Sequence, residues 1–368
     1  MGALDNVHTF TAMRGVQAGR EYYSAMCPLR VIPKIFLFDE EELTAELRAQ
    51  RTLNRSRIPE IALYVVDNPR DYIFSSITAS IDGEALFEPF SDGFGKNIGR
   101  LVVPMTSRFL INDGQHRRAA IEEALMRRPE LGDETISVVF FIDAGLKRSQ
   151  QMFADLNRHA MRPTRSLGIL YDHRDALSQL ARQLASEVSV FRNTTEMEKT
   201  TISNRSNKLH TLSAIYQSTR TLLGKSKRSK VTKVEVDLAK QFWEAVAANI
   251  GDWQLAAQKK VSCAELRRDY VHAHGIALQA FAVMAVQLLS EYPRDWTSKL
   301  APLCEIDWAR ANTKLWEGRA LVSGRVSKSQ VHVDLTASHL KQVIGLELTA
   351  KEKRLESQLL ENRGGRAA

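Results

Sequence analysis

The sequence predicts an α+β fold, in which a mixed amino-terminal domain precedes a mainly helical one. At 368 residues, the chain is longer than one compact core usually absorbs. Up to about residue 145 it carries apolar runs rich in branched and aromatic residues, each bounded by Pro, Gly, Asn or Asp, which is typical of strands. From about residue 147 apolar residues recur at i, i+3 and i+4, which is typical of helices. We therefore expect two domains, residues 1–150 and 151–368.

Six apolar runs predict strands in the first domain. They span residues 29–38, 61–66, 72–81, 100–105, 108–111 and 136–143. The acidic residues at 39–42 favour the amino end of a helix, which we expect over 40–52. A second helix is expected over 115–128, because Pro129 cannot continue it.

Seven helices are expected in the second domain. They span residues 147–157, 166–188, 207–223, 235–249, 262–268, 272–291 and 336–360. Two polar, basic connectors interrupt them, at 193–208 and 224–233. The second connector contains no acidic residue and is expected to be an exposed loop.

The composition indicates a folded protein with a polyanionic partner. Hydrophobic residues make up 44% of the chain and charged residues 26%, which is ordinary for a globular protein. Lys and Arg number 51 against 43 Asp and Glu, so the formal net charge is +8. This excess favours nucleic acid over an acidic protein surface as partner.

Several classes of protein are disfavoured. Cys27, Cys263 and Cys304 lie far apart without a CxxC pair, which argues against a disulfide framework and against the usual zinc spacings. The apolar stretch 276–289 is shorter than the roughly 20 residues a bilayer span needs. No P-loop, GxGxxG or GxSxG motif occurs, and His272 and His274 are spaced unfavourably for a metal pair. We expect a cytoplasmic protein with no metal site and no membrane segment.

Residues 108–125 carry the most informative pattern. A short apolar run leads into Asn112, Asp113 and Gly114 and then directly into a helical sequence, which predicts a strand, a tight turn and a helix. The first N–H groups of such a helix are unpaired and attract anions. Gly114 permits a ligand to approach the backbone, and Arg117 can hold a phosphate through two hydrogen bonds.

Helical spacing assigns directions within this segment. Arg117 shares a face with Ile121 and is expected to point toward a pocket, whereas Arg118 pairs with Glu122 and is expected to point toward solvent. His116 could donate to a phosphate when protonated, and Asp113 could hold a metal or cap the helix. A turn of this kind is also a common connection between a strand and a helix with no binding role. Spacing alone leaves both the anion-binding and the purely structural interpretation open.

Three basic stretches are expected to contact nucleic-acid phosphates. The first, residues 153–174, gathers arginines and histidines around a proline-broken join between helices, and a solvated surface is the alternative. The second, 199–215, is rich in hydroxyl, amide and cationic donors, with a plain helix cap at Ser206 or Asn207 as the alternative. The predicted contacts, including the 224–233 connector, are Arg158, Arg162, Arg165, Arg205, Lys208, Lys225, Lys227, Arg228 and Lys230.

Asp113-Gly114-Gln115-His116-Arg117 spells the motif after which DGQHR-domain proteins are named. Long flanking stretches, "YSAMCPLRVIPKIF", "RIPEIALYVVDN", "SSITASIDGEALFEPF" and "ISNRSNKLHTLSAIY", resemble the DndB family of DNA-sulfur-modification proteins in the same order. The resemblance spans most of the chain. It implies a ParB/sulfiredoxin-like amino-terminal domain. It also implies a DNA-binding regulator that represses the phosphorothioate-modification genes by binding their promoter as double-stranded DNA.

The resemblance also implies roles for the turn. ParB-like proteins bind nucleotide phosphates with a Gly-x-Arg-Arg turn, and the sulfiredoxin turn reads Gly-Cys-His-Arg. Gly114, His116 and Arg117 match this phosphate-binding part, whereas Gln115 replaces the sulfiredoxin cysteine, so sulfinic-acid reduction is not expected.

Two alternatives remain open. A related branch that serves 7-deazaguanine DNA modification is linked to ATP hydrolysis. This implies a nucleotide switch or NTPase that binds ATP or CTP with Mg²⁺ at residues 114–117, with Asp113 and His116 as its catalytic groups. The other alternative is an assembly factor that contacts the modification enzymes. A palindromic operator would demand a homodimer.

Overall fold

The computed structural model divides the chain into two compact units, Met1–Met161 (unit 1) and Arg162–Ala368 (unit 2). It describes residues 6–36, 55–142, 151–152, 154–156, 163–226 and 229–364. The helix expected over 40–52 and much of the helix expected over 147–157 lie outside these residues. Unit 1 carries a mixed sheet and unit 2 is mainly helical, so the α+β class is confirmed.

Unit 1 is built on a seven-stranded sheet. Its strands are β1 (Val7–Gln17), β2 (Arg20–Pro28), β3 (Ile77–Asp82), β4 (Leu86–Pro89), β5 (Ile98–Pro104), β6 (Arg108–Asp113) and β7 (Thr135–Ile142). Their order across the sheet is β4-β5-β1-β2-β7-β3-β6. Neighbours pair antiparallel except β3 and β7, which run parallel. The ParB/sulfiredoxin-like character of this unit stays a prediction.

Three predicted strands are confirmed as β5, β6 and β7, and the run 72–81 is a strand only from Ile77 onward. The hairpin of β1 and β2 was not predicted. Its two-residue turn places Ala18 and Gly19 at φ +52° and +73°, the left-handed conformation that matches the twist of the flanking strands. Because Ala12 is the one fully buried residue of β1, its sequence mixes polar and apolar residues without a clear period.

Two predicted strands of unit 1 are helical. Of the run 29–38, Leu29–Val31 form a 3₁₀ turn and Ile32–Ile35 form helix α1, while residues 37 and 38 lie outside the described residues. The run 61–66 lies in helix α2 (Ile58–Asp67). Proline stands in the first turn of each helix, where its missing N–H has no partner to lose. Ala62 and Val65 are buried three residues apart, so α2 follows a helical period.

Helix α3 (Gln115–Arg127) follows β6 directly and packs against α2. It ends before Pro129, as predicted. Beneath it, the rings of Phe36, Phe109 and Phe140 meet in the core with centroids 5.7 to 6.4 Å apart. Since β6 is an edge strand of the described sheet, the turn that joins it to α3 lies at that edge.

Unit 2 is a helical assembly around one apolar core. Its helices are α4 (Arg165–Tyr171), α5 (Ala176–Glu187), α6 (Leu212–Leu222), α7 (Lys233–Ala248), α8 (Gly251–Ala257), α9 (Cys263–Asp269), α10 (Gly275–Glu291), α11 (Trp296–Lys299), α12 (Thr313–Trp316), α13 (Gln330–Val343) and α14 (Ala350–Gly364). Short strand pairs join Thr195–Glu196 (β8) to His210–Thr211 (β9) and Leu321–Val322 (β10) to Arg325–Val326 (β11). Helices α6, α7, α9 and α10 confirm the predictions, and α8 was not predicted.

Two long helices expected in unit 2 are each divided. The segment 166–188 forms α4 and α5, with a short link between them. Asp175 is the extended residue that precedes α5, and its carboxylate accepts the Ser178 N–H at 2.9 Å, so α5 begins there as a separate helix. The segment 336–360 is divided into α13 and α14 by a link that contains Gly345 at φ +79°.

Helix α10 is the centre of the unit 2 core. It is predominantly apolar, packs against α6 and α13, and has nine buried residues among its 17. Trp243, Trp253 and Trp316 are fully buried around it. Within the described part of the chain, no helix is long and apolar enough to cross a bilayer.

Candidate functional site

The turn between β6 and α3 has the conformation that its sequence predicts. Strand β6 ends at Asp113, Gly114 adopts φ +112°, and α3 begins at Gln115. The Arg118 N–H donates to the Gly114 carbonyl at 2.9 Å, which closes the first helical turn. A Cβ on residue 114 would stand 3.0 Å from Ile77 Cγ1, so both the backbone angle and the available space select glycine.

Arg117 is held by groups of unit 1 around this turn. Its guanidinium donates to Asp113 Oδ2 at 2.6 Å, to Ser75 Oγ at 2.5 Å and to the Ser76 carbonyl at 3.1 Å. Its Nε is buried and has no hydrogen-bond partner in the described part of unit 1. A phosphate at this turn would compete with the Asp113 carboxylate for the guanidinium, and phosphate binding by Arg117 stays a prediction.

Arg118 corrects the expectation that it points toward solvent. Its pairing with Glu122 is confirmed, yet the side chain is buried. Its Nε donates to the Phe36 carbonyl at 2.9 Å and its Nη2 donates to the Pro33 carbonyl at 3.1 Å. The guanidinium therefore satisfies carbonyls at the end of α1, which the helix itself leaves unpaired.

The other two residues of the motif have mixed environments. Gln115 donates from Nε2 to the Ile111 carbonyl at 3.1 Å, across the turn. Burial lowers the pKa of His116, and the positive charges of Arg57 and Arg117 lower it further. The Asp113 carboxylate opposes this shift, but the net direction favours the neutral imidazole, which would contact a phosphate through its single N–H. Among the described residues, no group of three His, Cys, Asp or Glu side chains could hold a metal ion.

Replacing Gly114 with alanine is expected to destabilise unit 1 by about 1–3 kcal/mol, because an L-residue is strained at φ +112° and its Cβ presses on Ile77. Calorimetry of the full chain would show the unit 1 transition at a lower temperature. Gly93, also at positive φ but with open space around it, provides the matched control. Its alanine variant should have the smaller effect. Equal effects would contradict the steric part of this argument.

The net positive charge of the protein comes from unit 2. Residues 162–368 contain 32 Lys and Arg against 21 Asp and Glu, a formal net charge of +11. Residues 1–161 contain 19 against 22, a formal net charge of −3. Any attraction to a polyanion that depends on net charge therefore comes from unit 2.

The residues predicted to contact nucleic acid fall into three groups. Arg158, Arg162, Lys227 and Arg228 lie outside the described residues. Two others have partners within unit 2, since Lys208 Nζ donates to the Asn193 carbonyl at 2.8 Å and Lys225 Nζ forms a 2.7 Å ion pair with Glu235.

The third group remains available to an anion. Arg205 and Lys230 are exposed, and neither side chain has a hydrogen bond or ion pair within the described part of the chain. The guanidinium of Arg165 donates to the side-chain amide oxygen of Gln217. Burial lowers the pKa of Arg165, and the positive charge of the nearby Arg220 lowers it further. These side chains leave positive charge unneutralised on the surface of unit 2.

Residues 199–208, here called the polar loop, accept hydrogen bonds from an arginine that was not predicted from the sequence as a site residue. Arg267 of α9 donates to the carbonyls of Ser203 at 2.8 Å, Ser206 at 3.0 Å and Lys208. Backbone carbonyls are thus its acceptors, and its positive charge is not cancelled by a carboxylate in these contacts. The Arg267 guanidinium thus joins three carbonyls of the polar loop to α9, in addition to the bond from Lys208 Nζ to the Asn193 carbonyl.

A cavity of about 560 Å³ opens beside the polar loop, here called the unit 2 cavity. Thr200 and Asn204 of the polar loop line it, together with the amino ends of α6 and α10. At α10 the cap residue His274 makes no side-chain capping bond, so the first N–H groups of this helix depend on other partners. A Cβ on Gly275 would stand 3.2 Å from Ala214 of α6, which shows how closely the two helix ends approach.

His210 stands in the wall of this cavity. It is 2% exposed, and neither ring nitrogen has a hydrogen-bond partner among the residues that the structure describes. Phe191 and Trp253 pack edge-on against the ring. Burial lowers its pKa well below the usual value, and nearby histidines together with Lys328 and Arg267 lower it further. Leaving such a polar group unsatisfied costs about 1–3 kcal/mol, which a bound hydrogen-bonding group would relieve.

The unit 2 cavity was not predicted as a site. The sequence drew attention to the polar loop, whereas Arg267, Arg310 and Lys328 were not singled out. Each is an ordinary basic residue in its own segment, and only folding brings the three together. The one local signal was His210, which directly follows the donor-rich loop in sequence.

Comparison with known proteins places the chain in a family. Residues 10–347 match the family model DndB, described as DNA-sulfur modification-associated. No curated protein and no solved structure matches the chain. Because the family match covers most of the 368 residues, this protein belongs to the DndB family, which is associated with DNA sulfur modification.

Proposed function

We propose that this protein is a DNA-binding regulator that represses the genes of a DNA phosphorothioate-modification system. The observation that carries the proposal is the net charge of +11 on unit 2, with Arg205 and Lys230 exposed and unneutralised. Lys and Arg side chains that contact phosphates release counterions from DNA and supply most of the affinity that does not depend on sequence. Regulation would then require tighter binding to the promoter of the modification genes than to other DNA.

Changing both Arg205 and Lys230 to alanine is expected to weaken binding by about tenfold on promoter and random duplexes alike, because phosphate contacts carry no sequence information. The salt dependence of the affinity should also become shallower, by roughly one unit of slope for each lost contact. Fluorescence anisotropy with labelled duplexes measures the affinity and its salt dependence. The salt series runs from about 50 to 200 mM, a range in which phosphate contacts strongly affect the affinity.

The matched control removes an arginine and a lysine from unit 1. Arg20 and Lys96 are exposed there, and their alanine variants should bind DNA as the unchanged protein does. Binding that ignores salt, or promoter binding no tighter than random binding, would contradict the proposal. In the same proposal, two copies of the protein bind one palindromic operator in the cytoplasm. Sedimentation of the protein–DNA complex gives the number of protein copies per duplex.

A nucleotide-binding role for residues 113–117 is the second candidate, supported by the buried Nε of Arg117 beside Gly114, which has no hydrogen-bond partner among the described residues. ATP or CTP with Mg²⁺ would place its phosphates on Gly114, His116 and Arg117. Titration calorimetry, followed by an assay of phosphate release with and without DNA, tests this role. Affinity that is absent, or unchanged by Arg117→Ala, would exclude it.

A further inference from the structure

We propose that the unit 2 cavity binds a small phosphorylated ligand of mononucleotide size. In this arrangement the phosphate lies at the adjoining amino ends of α6 and α10 beside Lys328, and His210 hydrogen-bonds another polar group of the ligand. The inference goes beyond the proposed function and does not depend on it.

The first argument is charge. Arg267 and Arg310 donate to backbone carbonyls, and the exposed Lys328 has no hydrogen bond or ion pair among the described residues. Arg268 is paired with Asp269, so it adds little. The Glu265 carboxylate also lines the cavity but accepts the Ser262 N–H at the start of α9. The lining is therefore positive overall.

The second argument is the position of the helix ends. The Lys328 ammonium lies 3.7 Å from the place a Cβ would take on Gly275, the first residue of α10. Ala214, in the first turn of α6, lies 3.2 Å from the same point, and its N–H donates to Thr211 Oγ1 as the cap of α6, so the uncapped N–H groups are those of α10. Two helix dipoles and an ammonium group thus converge on one end of the cavity, and α10 has 17 residues to build its dipole.

The third argument is His210. A fully buried imidazole with both nitrogens unpartnered is rare, because folding normally pairs buried polar groups. Its neutral ring carries one donor and one acceptor, and it lines the same cavity as the cations. A ligand with a polar ring or hydroxyl next to its phosphate would satisfy both features at once.

The size of the cavity distinguishes between sources of phosphate. About 560 Å³ is within the range of pockets that enclose small ligands, and the walls are residues of unit 2 on several sides. A duplex backbone would instead lie across exposed cations such as Arg205. We therefore assign the phosphate to a free small molecule, and the experiment includes DNA as the other source.

The test is isothermal titration of the full chain with inorganic phosphate and with adenosine 5′-monophosphate. We expect one nucleotide per chain, and binding at least tenfold weaker, about 1.4 kcal/mol, in Lys328→Ala. Lys328 is exposed, so this variant should keep its fold, as a thermal melt can verify. Lys353→Ala removes the same charge from an exposed position on α14 and should leave the affinity unchanged.

Three results would overturn the assignment. One is no binding of either probe at millimolar concentration. Another is nucleotide binding that Lys328→Ala does not weaken. The third is displacement of the nucleotide by a short DNA duplex whose own affinity falls in Lys328→Ala. The phosphate bound in the cavity would then belong to DNA and not to a small molecule. Nucleotide binding that persists while promoter binding fails would separate this inference from the proposed function.

Discussion

Replacing Glu356 with alanine is expected to lower the free energy of unfolding of unit 2 by about 3–5 kcal/mol. Glu356 of α14 accepts from both terminal nitrogens of Arg319, with Nη2 to Oε2 at 2.7 Å, and the two side chains are 13% and 7% exposed. Arg319 also donates to the Leu335 carbonyl at 2.6 Å, which fixes it in place. Without the carboxylate, a buried guanidinium would remain uncompensated.

Tryptophan fluorescence during denaturant titration measures this effect, because all five tryptophans of the chain lie in unit 2. Glu361 is exposed on the same helix, and Glu361→Ala should give no measurable change. The double variant Arg319→Leu with Glu356→Leu should recover much of the loss, since apolar residues can replace a buried ion pair. A single-variant loss below about 1 kcal/mol would refute the prediction.

Replacing Arg267 with methionine is expected to lower the stability of unit 2 by about 2–4 kcal/mol and to release the polar loop. The carbonyls of Ser203, Ser206 and Lys208 would lose their shared donor, and methionine keeps the apolar part of the side chain. Limited trypsin digestion should cut after Arg205 and Lys208 at least tenfold faster. Denaturant titration gives the matching change in stability.

The adjacent Arg268 supplies the control. It is exposed and pairs with Asp269, its neighbour in sequence, so Arg268→Met should leave both stability and cleavage as they are. If Arg267→Met and Arg268→Met behaved alike, the loop would be held by something other than the Arg267 guanidinium.

Features set by neighbouring residues were predictable from the sequence. The start of α3 at Gln115 and its end before Pro129 follow from Gly114 and proline chemistry, and the helices of unit 2 follow from a period repeated over several turns. The run 61–66 failed because six apolar residues fit a buried strand as well as a helix. Pro59 was the residue that could have decided between them.

Features made by distant segments were not predictable. Arg118 is buried because carbonyls more than 80 residues away, at Pro33 and Phe36, take its guanidinium. The unit 2 cavity combines the polar loop with α6, α9, α10 and the residues Arg310 and Lys328, which no local pattern relates. The basic stretches of the second domain were predicted from the sequence. The contacts of Lys208 with the Asn193 carbonyl and of Lys225 with Glu235 depend on tertiary structure and were not predicted.

The place of β7 in the sheet has a consequence for biosynthesis. β7 is the last of the seven strands to leave the ribosome, yet it stands between β2 and β3. Before Thr135 is translated, the nascent chain can form one four-stranded ribbon, β4-β5-β1-β2, and one separate pair, β3-β6. Each ribbon then exposes a bare edge that only residues 135–142 can close, so unit 1 completes its fold late and through long-range pairing.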